Sequence, residues 1–150
     1  MSNVPAISAI LAFDYGGRRI GVASGSAITG TSSVVTTLSA QAGLPDWQQL
    51  DTIIKEWHPD ILIIGMPYNM DGTESEMSAR AKEFAELLAE RYDLPTDTID
   101  ERLTSAEANS ILKEQRRLGL KTKKVNKEEI DSLAACLIAE SWLQTNARTN

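Results

Sequence analysis

The 150 residues include one cysteine, one histidine and two phenylalanines. A single cysteine rules out a disulfide framework, and Cys136 lies inside the apolar run Leu133–Ala139, where a core position suits it better than a nucleophile or ligand. His58 precedes Pro59 at the end of a helical pattern, a surface or capping position, which excludes a serine-type or cysteine-type triad. No apolar run approaches the roughly 20 residues a membrane-spanning helix needs. The stretch from Ala6 to Phe13 lacks a basic flank and a cleavage-like site, and reads as a strand rather than a leader. Internal repeats and low-complexity linkers are also missing. These absences leave a cytoplasmic, single-domain protein spanning residues 1–150. Its 42% hydrophobic and 24% charged residues are ordinary for a globular chain, and the length suffices to bury about 70% of the unfolded surface.

The net charge of −6 argues at first against a nucleic-acid partner. Its distribution points the other way. Residues 113–127 hold Lys113, Arg116, Arg117, Lys121, Lys123, Lys124 and Lys127 against the single Glu114. A basic island on an acidic body is the footprint expected for local phosphate contact. A solvated loop explains a charge run equally well.

Ile7–Phe13 has strand length and is followed by the turn-rich Asp14-Tyr15-Gly16-Gly17. Ile20–Ser24 and the β-branched Ser33–Leu38 follow after short connections, predicting an antiparallel three-strand meander. The period then changes. Pro45 suits a helix first turn, and Trp47, Leu50, Ile53, Ile54 and Trp57 form one helical stripe. Ile61–Ile64 is a run of four aliphatics, the mark of a parallel strand covered on both faces. Thr73 and Glu76 read as a capping box before a helix whose face holds Met77, Ala81, Phe84, Leu88 and Tyr92. A weak strand, Thr96–Asp100, comes next. Thr104 with Glu107, and Asn126 with Glu129, open two further helices, the last running to about Leu143. The order predicts an α/β fold: a mixed five-stranded sheet, three strands antiparallel and then two parallel, flanked by helices.

In such a sheet, functional residues gather beyond the carboxyl ends of the strands. Asp14 follows the first strand, Gly65 the fourth and Glu101 the fifth, which puts all three at one edge. Asp131 shares a helical face with Ala134, Ala135, Ile138 and Trp142, and that face must pack on the sheet. Taken singly, Asp131 complements a helix dipole, Asp14 forms a turn and Glu101 ends a strand. Converging, the three would repel one another unless a divalent cation is bound. Oxygen-only ligands favour Mg²⁺ or Mn²⁺ over zinc, and two such ions about 4 Å apart suit phosphodiester hydrolysis. Arg18 and Arg19 could meet phosphate or pair with the acidic body. Asn69, in the loop Gly65–Gly72, could orient substrate or simply help to turn the chain.

Four ordered blocks resemble the YqgF (RuvX) family of bacterial ribonuclease H-like resolvases and nucleases. They are Asp14-Tyr15-Gly16-Gly17-Arg18-Arg19-Ile20-Gly21-Val22-Ala23; Gly65-Met66-Pro67 with Asn69-Met70-Asp71-Gly72-Thr73; Asp100-Glu101-Arg102-Leu103-Thr104-Ser105-Ala106-Glu107; and Asp131-Ser132-Leu133-Ala134-Ala135. The resemblance implies a ribonuclease H-like fold and catalytic, metal-holding roles for Asp14, Glu101 and Asp131. It further implies maturation of the 5′ end of pre-16S ribosomal RNA, possible contact with ribosomal particles, and resolution of branched DNA as the alternative. The nucleic-acid contacts expected beside the acids are Arg18, Arg19, Asn69, Arg116, Arg117, Lys121, Lys123 and Lys124. A junction resolvase needs two active sites and hence a homodimer, whereas an RNA nuclease can act as a monomer. A sugar kinase or actin-like protein would need a second such domain, which this chain does not supply. A non-catalytic ribosome-assembly or transcription factor on the same fold is the remaining rival.

Overall fold

The structure, a computed structural model, describes residues 7–101 and 127–146, with residues 127–132 described by their backbone alone. The elements are β1 (Ala9–Tyr15), β2 (Arg19–Ser26), β3 (Thr31–Gln41), β4 (Leu44–Pro45), α1 (Trp47–Trp57), β5 (Ile61–Met66), α2 (Glu76–Tyr92), β6 (Thr96–Asp100) and α3 (Lys127–Asn146). The strands form one mixed sheet in the order β4-β3-β2-β1-β5-β6. From β1 to β4 neighbours run antiparallel, while β1 to β5 and β5 to β6 run parallel. The chain thus winds outward from β1 on one side, then crosses to the other side and continues through β5 and β6. This makes the β1/β5 boundary the topological switch point, where open α/β sheets form their crevice.

Six strands replace the expected five. The additional one is the two-residue β4, which folds back on Ala40 and Gln41 through a turn with Ala42 and Gly43 at positive φ. Pro45 accordingly lies buried in β4 rather than in a helix. Helix α1 starts two residues later, where the Asp46 carboxylate accepts from the amides of Gln48 and Gln49. The α2 cap is also displaced from its expected place. Thr73 gives both its amide and its hydroxyl to Asp71, at 2.9 and 2.6 Å, so Ser75 and Ser78 form the capping box instead. The helix openings expected at Thr104 and Asn126 lie outside the described residues.

Period-two alternation divides the core between the two faces of the sheet. Leu11, Phe13 and Tyr15 of β1 join Leu62 and Ile64 of β5 beneath α1 and α2, with Leu50, Ala81, Phe84 and Leu88 packed on them. Phe84 meets Phe13 edge-on at 5.8 Å and Tyr15 at 5.0 Å. Ile10 and Ala12 face the other way, with Ile61 and Ile63, against Ile138, Ala139, Trp142 and Leu143 of α3. Of the α1 stripe, Leu50 and Ile53 are buried while Trp57 is exposed. His58 caps α1 in the left-handed conformation and is exposed, as its place before Pro59 suggests. Asp60 ties the lower edge together by accepting from the amides of Ser8 and Ala9 at 2.8 and 2.9 Å.

Candidate active site

Asp14 is the penultimate residue of β1, and the alternation that sends Phe13 and Tyr15 toward α2 puts Asp14 on the α3 face. It is half-buried and sits opposite Gly21 of β2. On the other side Phe13 is in register with Ile64, so the next step sets Asp14 beside Gly65 of β5. The acid at the switch point therefore has a glycine on each flank. Its strand turns back through Gly16, where a Cβ would stand 2.7 Å from the Arg19 carbonyl oxygen, too close for any residue but glycine. Arg18, in that turn, is exposed. Arg19 is half-buried and shares the α3 face with Gly21 and Ala23.

Glu101 follows β6 directly and is only 6% exposed. Its strand keeps the same alternation: Asp97 accepts from Trp142 Nε1 at 2.8 Å, Ile99 packs in the α3-side core, and Glu101 comes next on that face. A Cβ built on Gly65 would lie 2.6 Å from Glu101 Cγ and 2.9 Å from its carboxyl carbon. The Glu101 carboxyl group thus lies over Gly65, in the row adjoining Asp14. Two of the three expected acids thus share one edge and one face of the sheet, on either side of β5.

The third, Asp131, lies in α3 one turn before Ala134 and Ala135. Ala134, Ala135, Ile138 and Trp142 are buried, but so are Cys136, Leu137, Ala139 and Leu143, so burial extends beyond the face that Asp131 shares. Leu143 reaches Gly25 near the start of β1, while Ile138 reaches Gly65 near the end of β5. The helix therefore begins toward the carboxyl edge of the sheet, although the Asp131 side chain lies outside those described. Among the described residues no three His, Cys, Asp or Glu side chains form a metal-binding group. The acids at this edge offer carboxylate oxygens, a set that suits a hard divalent cation better than zinc. Cys136 is buried against Ala23 and Ala135, and burial pushes its thiol up, consistent with a core residue.

The loop after β5 is internally braced. Asn69 donates its side-chain amide to Thr73 Oγ1 at 3.0 Å and to the Glu74 carbonyl at 3.3 Å, and Ser75 Oγ donates to the Pro67 carbonyl at 2.6 Å. A residue the sequence did not single out, Arg80 of α2, places Nη1 3.9 Å from where a Gly17 Cβ would be. It is exposed beside the Gly16-Gly17 turn and pairs with Glu76 at 3.2 Å. No spacing rule links a helix residue to that turn, so only the packing of α2 reveals it. Arg116, Arg117, Lys121, Lys123 and Lys124 lie outside the described residues.

Comparison with known proteins agrees with this arrangement. The family model RuvX, whose description is Holliday junction resolvase, matches residues 8–145. A relative from Pseudomonas putida and one from Haemophilus ducreyi, both named "Putative pre-16S rRNA nuclease", are each 47% identical over 137 residues; the matches cover 91% of this chain and 95% and 96% of theirs. A third of the same name, from Azotobacter vinelandii, is 49% identical over 135 residues, covering 89% of this chain and 92% of that one. Among solved structures, T. thermophilus RuvC in complex with a Holliday junction substrate superposes with a TM-score of 0.54 at 11% identity, covering 93% of this chain and 97% of that one. The yeast mitochondrial Holliday junction resolvase gives 0.55 at 13% identity, covering 95% and 80%. At such identities the structures speak for the fold alone, a ribonuclease H-like sheet, whereas the sequence matches span nearly the whole chain. The chain belongs to the RuvX family, a nuclease family on the ribonuclease H-like fold.

Proposed function

We propose that this protein is a metal-dependent endonuclease that cuts a phosphodiester bond in the 5′ leader of pre-16S ribosomal RNA, in the cytoplasm. The reading is supported chiefly by buried Glu101 lying over Gly65 of β5, with Asp14 near the end of the neighbouring β1 on the same face of the sheet. Asp14, Glu101 and Asp131 are the residues that would hold Mg²⁺ or Mn²⁺. Bound there, such an ion supplies charge stabilisation at the scissile phosphate and a more acidic attacking water. The chain's own part is to keep the carboxylates fixed and to hold the strand being cut. Arg18 and Arg19 follow the turn after Asp14 in sequence and Arg80 of α2 stands beside it, and their guanidinium groups are the ones that would meet phosphate oxygens. Asn69 holds the loop after β5 in one shape, the sense in which it supports substrate. Arg116, Arg117, Lys121, Lys123 and Lys124, in the basic segment of the sequence, would add further phosphate contacts. The ribosomal substrate rests on the names of relatives about 47% identical to this chain.

The family description favours a second substrate, a four-way DNA junction. Symmetric resolution requires a homodimer, whereas leader trimming does not. The test is cleavage of a pre-16S leader RNA and of a synthetic junction by purified protein in Mg²⁺ or Mn²⁺, with Asp14→Asn beside it. The expected result is RNA cleavage that EDTA stops, that added metal restores, and that the variant lacks while still binding RNA. Junction cutting without RNA cutting would move the assignment to the resolvase. Binding without cleavage, unchanged in Asp14→Asn, would make the protein a non-catalytic assembly factor.

A further inference from the structure

We infer that Gly65 is a positioning residue, whose missing side chain is the space in which the Glu101 carboxyl group is held beside Asp14. The inference rests on the nuclease reading above and extends it to a residue that has no side chain of its own. A glycine inside a strand weakens it, costing roughly 0.5–1 kcal/mol relative to alanine, so its presence has to be explained. Backbone conformation does not explain this one. Gly65 is absent from the glycines with positive φ, which are Gly30, Gly43 and Gly72, and it lies in a regular parallel ladder opposite Ile99. Space does explain it. A Cβ at position 65 would meet Ile138 Cδ1 at 2.5 Å, Glu101 Cγ at 2.6 Å and the Glu101 carboxyl carbon at 2.9 Å, where unbonded carbons prefer about 3.5–4.0 Å. At Gly17 the nearest atom would be 3.8 Å away, and at Gly30 nothing lies within 4 Å.

The two neighbours of the absent Cβ would respond differently. Ile138 offers only the tip of its side chain, which can turn aside. Glu101 offers two consecutive carbons of a buried side chain that starts immediately after β6, and its carboxyl group would have to shift by most of an ångström. A misplacement near 1 Å is enough to cost about 100-fold in rate. Losing the support of a metal-holding carboxylate typically weakens ion affinity 10- to 100-fold.

The experiment compares wild type, Gly65→Ala, Ile138→Val and the double variant Gly65→Ala/Ile138→Val. Removing Cδ1 from residue 138 relieves the crowding on the helix side and leaves the Glu101 contact in place. Thermal melts, kcat and KM on the leader RNA, and Mn²⁺ affinity by paramagnetic resonance titration are measured for each. The expected pattern is a near-normal Ile138→Val and a double variant that melts cooperatively. That double variant should still lose about 100-fold in kcat with KM unchanged, and at least 10-fold in Mn²⁺ affinity. Recovery of kcat and Mn²⁺ affinity in the double variant would overturn the inference, since the defect would then be ordinary crowding against Ile138. If wild type binds Mn²⁺ but cleaves nothing, the nuclease reading falls while the affinity comparison still decides the role of Gly65. A wild type that binds no Mn²⁺ overturns both.

Discussion

Asp51 shows how strongly a surface carboxylate can be held by its neighbours. Arg91 reaches it with both arms, Nε to Oδ1 at 2.9 Å and Nη2 to Oδ2 at 2.8 Å, and Tyr92 donates its hydroxyl at 2.7 Å. The Arg91 guanidinium also lies 4.8 Å over the Trp47 ring, which steadies it. These hydrogen bonds, Arg91's first and Tyr92's second, lower the Asp51 carboxyl to about 2. The sign follows from linkage: a carboxyl with its pKa lowered on folding stabilises the fold above its unfolded value near 4, and that contribution is lost as pH falls through about 2. A carboxyl-carbon NMR titration should place the Asp51 midpoint near 2, and Tyr92→Phe should move it upward. In urea unfolding, the deficit of Asp51→Asn relative to wild type should be constant from pH 8 to 5 and shrink as pH falls below 4. A midpoint at the ordinary carboxyl value would mean that the Arg91 fork does not persist in solution.

At the scale of elements, Ser75 performs two tasks with one hydroxyl. It accepts from the Ser78 amide at 2.9 Å, capping α2, and donates to the Pro67 carbonyl at 2.6 Å, tying the loop after β5 to that helix. Ser75→Ala should therefore cost about 1 kcal/mol or somewhat more, read as a lower urea midpoint with unchanged slope. A loss under about 0.3 kcal/mol would mean that water replaces both bonds. In the core, Leu62→Ala removes a fully buried side chain from beneath α1 and α2 and should cost about 2–5 kcal/mol by the same measurement. Such elements were largely legible in the sequence. Thr96–Asp100 matches β6 at both ends, and Ile61–Ile64 lies within β5, because apolar runs and period-two alternation are local signals. The α2 cap was not legible, since choosing Thr73 or Ser75 depends on Asp71 having already claimed Thr73. Nor was β4, whose two residues are too few to show a period. The same boundary runs through the site. Asp14 and Glu101 announce themselves as acids at strand ends. That Glu101 rests on Gly65, and that Arg80 stands beside Gly17, are contacts between distant parts of the chain with no periodic trace.

The whole molecule joins an acidic body to a concentrated basic segment: 21 acidic residues against 15 basic, with seven of the basic ones between residues 113 and 127. If the substrate is the proposed RNA, long-range repulsion from the body works against it, and the segment and the arginines near Asp14 would have to attract it. Acidic residues are needed where metal is to be held, so the two charges have to be separated in the sequence if one chain is to bind RNA and cut it. Affinity should then come from counterions released at the basic segment, and cleavage from the acids. Changing Lys121, Lys123 and Lys124 together to alanine should weaken leader-RNA binding and reduce the slope of log affinity against log salt by about 2, at roughly 0.7 per phosphate contact on a single strand. Asp14→Asn should leave that slope unchanged, because it removes no basic side chain. Fluorescence anisotropy titrations at several salt concentrations measure both. An unchanged slope in the triple lysine variant would move the phosphate contact to Arg18, Arg19 and Arg80, in or beside the turn that follows Asp14. In that case binding and cutting would share one edge of the sheet, and lysine substitutions would leave both activities intact.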